Sequence, residues 1–296
     1  MWLPWQDALW LAAGLAVVAI ILYVRTPPAR WQWVRDLARE GSIFAILYAT
    51  WQWVGGLTAH DTTYALSRGL WIAHFERAIG LPSEVTTQGL FLHWIPLIRA
   101  ANWYYVIGHA PVMGIFLVWL WVRHRDQFPR WRTTLAVASI TGELIQIMAV
   151  APPRLTLPGI VDTAHVYGPQ VYSTDGAGFA PQLAAMPSLH CAWAITTGAA
   201  IFLVAKSRWR WIGPIHAVAT VLVVVVTGNH YWLDAIVGGL LVLVGLLVYQ
   251  VTHPSSKVQE PESQNAKDPE EQDVAAPSRS AFAPPATPSS PSSHNQ

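Results

Sequence analysis

The sequence predicts an all-α integral membrane protein of about seven transmembrane helices, six of them forming one core, with a disordered C-terminal tail. Three observations predict it. Of 296 residues, 53% are hydrophobic and only 12% charged, where an average soluble domain carries about 25% charged residues. Apolar runs approaching 20 residues recur along the chain, and about 20 residues are needed for a helix to cross the hydrocarbon of a bilayer. The seventeen tryptophans gather near the ends of those runs (Trp2, Trp5, Trp31, Trp33, Trp119, Trp121, Trp131, Trp209, Trp211, Trp232), where an amphipathic ring anchors at a membrane surface.

The runs fall at roughly 7–24, 43–60, 102–122, 131–150, 189–205, 211–227 and 231–250. Each is longer than a barrel strand and lacks alternation, so helix is the form that satisfies the backbone in lipid. The first run has no basic residue before it and no clear small-residue cleavage site after it. It reads as a retained span and not as a secretory signal. The loop 61–101 is too long for a turn. Its stretch TYALSRGLWIAHFERAIG has helical spacing with mixed polarity, which suits either an amphipathic helix on the membrane surface or a packed extracytoplasmic loop. From about Thr252 the chain turns rich in Pro, Ser, Glu and Gln, a composition that cannot bury enough apolar area to order itself. The expected organisation is an extra helix and loop over 1–42, a six-helix core over 43–251, and a disordered cytoplasmic tail over 252–296.

Basic residues set the direction. The loops holding Arg25, Arg30, Arg35 and Arg39, then Arg123, Arg125, Arg130 and Arg132, then Lys206, Arg208 and Arg210 carry eleven of the eighteen Lys and Arg residues. The alternate loops carry four: Arg68, Arg77, Arg99 and Arg154. The positive-inside rule then puts the N-terminus outside and the C-terminus in the cytoplasm. The expected location is the plasma membrane of a bacterium. A net charge of +1 supplies no field for nucleic acid. The single cysteine, Cys191, excludes an intramolecular disulfide and a Cys-based zinc cluster.

Charged and titratable groups are costly at membrane depth, and those kept there usually act. Three short segments hold them: APPR at 151–154, MPSLH at 186–190 and TGNHYWLD at 227–234. On the span map all three reach the same, outer face. His230 and Asp234 are spaced i, i+4, which puts both on one side of a helix. A carboxylate so placed fixes one imidazole tautomer and leaves the other ring nitrogen basic, as in an activated nucleophile. Arg154 offers a planar, permanently charged fork for phosphate oxygens. His190 opens a helix that Ser188 can cap, and an imidazole there can protonate a leaving oxygen.

These motifs resemble the type 2 phosphatidic acid phosphatase superfamily, integral-membrane lipid phosphatases and phosphotransferases. PSLH at 187–190 matches the family's Pro-Ser-Gly-His with Leu189 in place of Gly. HYWLD at 230–234 matches the end of its third motif, and APPR supplies the arginine of the first. Two family cations are missing, with Ile147 and Val224 at their positions. That pattern, together with FERAIGLPSEVTTQ at 75–88 and NWYYVIGH at 102–109, resembles the branch of inositol phosphorylceramide synthases and inositol phosphotransferases. The resemblance covers roughly residues 70–250. It implies that His230 attacks phosphorus, Asp234 orients it, His190 protonates the leaving group, and Arg154 with Ser188 holds the phosphoryl oxygens, without a metal or cofactor. Asn229, His165 and His109 are candidates to make up for the missing cations. The partner implied is a membrane lipid phosphate or phospholipid. Donor, acceptor and oligomeric state are left open, and a polyprenyl phosphate or diphosphate is an alternative donor.

Three other readings compete. Intramembrane His and Asp suit a proton-coupled transporter, although these groups gather at one face and no matched pair of broken helices stands out. His190, His230 and Asp234 are ligand types that zinc accepts. A non-catalytic scaffold would keep the histidines as remnants.

Overall fold

Apolar helices that meet through small residues and inward-facing polar groups build this chain. The computed structural model describes residues 3–25, 28–58, 62–169 and 182–254, and the expected disordered tail lies almost wholly outside them. The regular structure among the described residues is helical, apart from one isolated parallel bridge between Val150 and Ala184. The helices are α1 (Trp5–Val24), α2 (Gln32–Thr58), α3 (Thr62–Ala78), α4 (Glu84–Phe91), α5 (Ile95–Trp103), α6 (His109–Arg123), α7 (Phe128–Gln146), α8 (Pro153–Thr156), α9 (Thr163–Tyr167), α10 (Leu189–Val204), α11 (Ile212–Val226) and α12 (Trp232–Thr252).

Among the described residues, three helices are long and apolar enough to cross a membrane: Trp5–Val24, Arg208–Val226 and Trp232–Thr252. A fourth crossing appears if Ile95–Gly108 and Pro111–Arg123, bent by 49°, count as one. That is fewer than the seven expected. The shortfall has a physical reason. α10 is only 16 residues long. α2 buries Glu40 and Ser42, and α7 buries Thr134, Ser139, Glu143 and Gln146, so both lose apolarity to inward-facing polar groups. The run expected over 131–150 also stops being helix at Gln146. Its last residues leave the helix so that Val150 can exchange hydrogen bonds with Leu183 and Ala185.

α7, α10, α11 and α12 pack on one another, and α7 also meets α2. Gly198 on α10 and Gly213 on α11 face each other so closely that a Cβ on either would collide with the other's carbonyl. Gly245 lets α12 lie against the backbone of Thr134 on α7. The long loop 61–101 forms α3, α4 and most of α5, and these pack inward. α3 contacts α8 and α12, α4 contacts α11, and α5 contacts α9. This favours the packed-loop expectation over a helix lying free on the surface. A π-helical turn, Tyr104–Gly108, joins α5 to α6.

Candidate active site

The turn between α11 and α12 places the central side chains. Gly228 has φ +71°, and a Cβ there would press on Ile160 and on Arg154, so the tight reversal suits glycine alone. The backbone N–H groups of Asn229 and His230 both donate to the Val224 carbonyl at 3.1 Å. His230 thereby leaves the turn pointing at the loop before α10. Its Nδ1 lies 2.8 Å from the Ala185 carbonyl oxygen and 3.2 Å from Asp234 Oδ2. Both neighbours are acceptors, so Nδ1 carries the proton and Nε2 holds the lone pair. Burial pushes the His230 imidazole down to about 4, with the Ala185 hydrogen bond opposing this and Arg154 adding to it. The ring is therefore neutral at neutral pH, the state a nucleophile needs.

Asp234 is fully buried and is held from several sides. Its Oδ2 also accepts from the Tyr231 backbone N–H at 2.9 Å, and its carbonyl accepts from the Ser188 N–H at 3.3 Å. That bond joins the PSLH segment to α12. Ser188 caps α10, its Oγ accepting from Cys191 N–H at 3.2 Å. Gln146 at the end of α7 fixes the same loop by donating to the carbonyls of Pro187 at 2.9 Å and Ala184 at 3.3 Å.

Arg154 on α8 is buried beside the turn. Its backbone N–H donates to the Gly228 carbonyl at 3.0 Å. Its Nη1 donates to Asn229 Oδ1 at 2.7 Å, and its Nε lies 3.5 Å from Asp162 Oδ2. Asn229 in turn donates to Thr227 Oγ1 at 2.9 Å. Tyr231 ties α12 to the APPR segment, its hydroxyl donating to the Ala151 carbonyl at 3.0 Å and meeting Thr156 Oγ1 at 2.6 Å. His190 is partly buried. Its ring stacks on Tyr105 at 4.5 Å between centroids and lies 6.0 Å from the His230 ring.

The geometry thus brings together His230, Asp234, His190, Ser188, Arg154 and Asn229. His109 borders this group at His190. Its ring neighbours His190 at 5.2 Å, Trp193 at 5.8 Å and His216 at 6.0 Å. Its two nitrogens have no hydrogen-bond partner among the described residues. His165 on α9 is exposed, and among the described residues no contact joins its side chain to His230, His190 or Arg154. Ile147 is 44% exposed, whereas Val224 is fully buried in an apolar cluster with Tyr105, Cys191 and Val225. Among the described residues, no three His, Cys, Asp or Glu side chains are disposed to hold a metal ion.

Residues that the motifs do not reveal complete the site. Gln88 on α4, fully buried, donates to the carbonyls of Val161 and Val226 at 3.0 and 2.9 Å and accepts from Val161 N–H at 2.7 Å. Asn102 on α5 donates to the carbonyls of Thr163 and Gly168 at 2.8 and 3.0 Å. Glu76 on α3 accepts from the Leu233 backbone N–H in the first turn of α12. The only signal for these is polar side chains at helical spacing, such as Glu84 and Gln88, within a stretch of mixed polarity.

A family profile described as the PAP2 superfamily matches residues 70–248. That span holds every residue described in this site. No curated protein matches the chain, and no solved structure does.

Proposed function

The chain belongs to the PAP2 superfamily, and on that premise we propose that it is a lipid phosphate phosphatase or phosphotransferase working through a phosphohistidine at His230. Membership suggests phosphatase or phosphotransferase activity on lipid phosphates. The observation that carries the finer reading is the pair of acceptors on His230 Nδ1, the Ala185 carbonyl and Asp234. They commit the other ring nitrogen to the lone-pair state.

In the first step the Nε2 lone pair attacks phosphorus while the bond from phosphorus to the leaving oxygen breaks. Burial and the His230 ring hold the free His190 imidazole low, at about 3, so it takes up a proton together with the anionic substrate and gives that proton to the leaving oxygen. Arg154 and the N–H groups around Ser188 balance charge on the phosphoryl oxygens, as fixed donors do best in a water-poor site. In the second step an acceptor hydroxyl attacks the phosphohistidine. Its proton passes to His190, and His230 leaves neutral. Water as acceptor gives a phosphatase; a lipid or polyol hydroxyl gives a transferase. The resemblance to inositol phosphotransferases leans towards transfer, with a polyprenyl phosphate or diphosphate as the alternative donor. The eleven basic residues of the opposite loops support an extracytoplasmic site; the location we propose is a bacterial plasma membrane.

The test is full-length protein in detergent and chelator with labelled lipid phosphates, wild type beside His230→Ala. The variant is expected to lose at least ~10³-fold in rate. Free phosphate identifies hydrolysis, and label on an added lipid or inositol identifies transfer. Equal turnover by both proteins sinks the reading.

One observation favours a second reading, proton movement. The rings of His230, His190, His109 and His216 follow one another at 6.0, 5.2 and 6.0 Å, and Tyr104 bonds His216 at 2.8 Å. Proton-coupled flux in proteoliposomes that is lost in His109→Ala, with lipid phosphate turnover kept, would favour it.

A further inference from the structure

Two carboxylic acids lie under the first turn of α12 with no ion-pair partner among the described residues. Glu76 is 1% exposed and Glu84 is 4% exposed. The Glu84 carboxyl lies close enough to Glu76 to raise its pKa, and two carboxyl groups at that range can bond only if one of them holds a proton. Glu76 Oε2 and Glu84 Oε1 find no donor among the described residues, and one proton shared between them would satisfy both. Glu76 Oε1 faces the other way and accepts from Leu233 N–H. That N–H is one of the orphan donors with which every helix begins.

The neighbouring residues make this contact consequential. Leu233 stands next to Asp234 and three residues past His230. α12 therefore begins between two carboxyl groups, Asp234 gripping the Tyr231 N–H from within and Glu76 gripping the Leu233 N–H from α3. α3 itself is seated closely. A Cβ at Gly69 would strike the Ala151 carbonyl, Thr156 and the Tyr231 hydroxyl, so α3, the APPR segment and α12 hold one another in register. We propose that Glu76 is a positioning residue for His230: a neutral carboxylic acid, sharing its proton with Glu84, that anchors the first turn of α12 through the Leu233 N–H. This rests on the reading of His230 as nucleophile.

Neutrality matters because the substrate is an anion. Two further carboxylates beside Asp234 would set like charge against a phosphate group and against one another. The groups that face Glu76 are Glu84 from α4 and Asp234 and Tyr231 from α12. The charged group of α8, Arg154, is turned to Asn229 and Asp162 instead. Burial first, then Glu84 and Asp234, hold Glu76 far above the usual carboxylate range, at about 9. The folded chain keeps a proton that the unfolded chain gives up near 4.5, so this group's contribution to stability falls as pH rises from there to about 9.

The experiment compares wild type, Glu76→Gln and Glu76→Ala as full-length proteins in detergent. The readouts are kcat and KM on a dioleoyl phosphatidic acid probe from pH 5 to 10, and the ¹⁵N signals of the His230 ring in histidine-labelled protein. Glu76→Ala is expected to lower kcat roughly 30- to 100-fold with KM within about twofold, as a misplaced reacting group does, and to shift the His230 signals. Glu76→Gln keeps an acceptor for Leu233 N–H and a donor for Glu84. It is expected to hold kcat within about threefold, to keep the wild-type ring signals, and to lose the alkaline fall of activity near pH 9. Glu76→Ala with wild-type kcat and unshifted His230 signals overturns the proposal, and so does Glu76→Gln as damaged as Glu76→Ala. A wild type that turns nothing over would count against the phosphohistidine reading alone, because the ring signals still report whether Glu76 positions His230.

Discussion

α1 and α12 are nearly matched in length and apolarity, at 20 and 21 residues with the same mean hydropathy of 2.2, yet they do different work. α1 buries only Ala8 and Ala12, and it meets the rest of the chain through α2. Among the described residues its clearest polar tie inward is the Ser42 hydroxyl of α2, donating to the Ala12 carbonyl at 2.9 Å. α12 starts with a buried aspartate, a backbone N–H held by Glu76, and close contact to α7 and α10. The difference teaches that lipid-facing apolarity decides whether a helix resides in the membrane, while a few inward polar groups decide where it stands.

The sharpest way to break that contrast is at Arg154. Arg154→Lys keeps the charge and loses the fork that reaches both Asn229 and Asp162. Lipid phosphate turnover is expected to fall about a hundredfold, read as kcat/KM in detergent. A lysine variant within about threefold of wild type would mean that charge alone is needed there.

Acid pH gives the next effect. Burial depresses the His230 imidazole to about 4 in the folded chain, against 6.5 for the free group. Between those values the unfolded chain carries the extra proton. This group's contribution to stability is therefore fully present above 6.5 and is lost as pH falls towards 4. The acid limb of kcat/KM is expected near 4, falling about tenfold per pH unit below it. A limb centred near 6.5 would show that His230 is solvated in the working enzyme.

The smallest effects set scaffold against lipid face. Gln88→Leu leaves the Val161 and Val226 backbone groups unpaired at a cost of about 1–3 kcal/mol, seen as a lower Tm in detergent with a few-fold loss of rate. Trp10→Ala on α1, at a residue 77% exposed, is expected to change neither. A Trp10 variant that loses activity would mean that α1 takes part in the site.

Much of the site was legible because polar residues inside apolar runs are conspicuous. Arg154, His190, His230 and Asp234 each stand at the edge of such a run, and the structure brings their segments together at the turn between α11 and α12. The Ser188 cap was equally plain from a serine before an apolar helix. Glu76, Glu84 and Gln88 were hidden for the opposite reason. They lie in a stretch of mixed polarity, where a buried acid looks like a solvated one until tertiary contacts remove the water. For His109, spacing places it on a helix and only packing reveals that its ring faces His190. Length and apolarity alone do not mark α7 and α10 as spans, because apolar stretches do not disclose how many polar residues turn inward or where a chain leaves the helix to pair its backbone.

The acceptor nearest His230 Nδ1 is a main-chain carbonyl, that of Ala185. No side-chain replacement at position 185 can delete it. Asp234→Asn would still leave the imidazole one strong reason to keep its proton on Nδ1. The tautomer is insured by the path of the chain itself, through the rung that Ala185 makes with Val150 and the amide with which Gln146 grips Ala184 and Pro187. Damage to the nucleophile's proton can therefore originate at Gln146, a residue with no place in any of the three motifs.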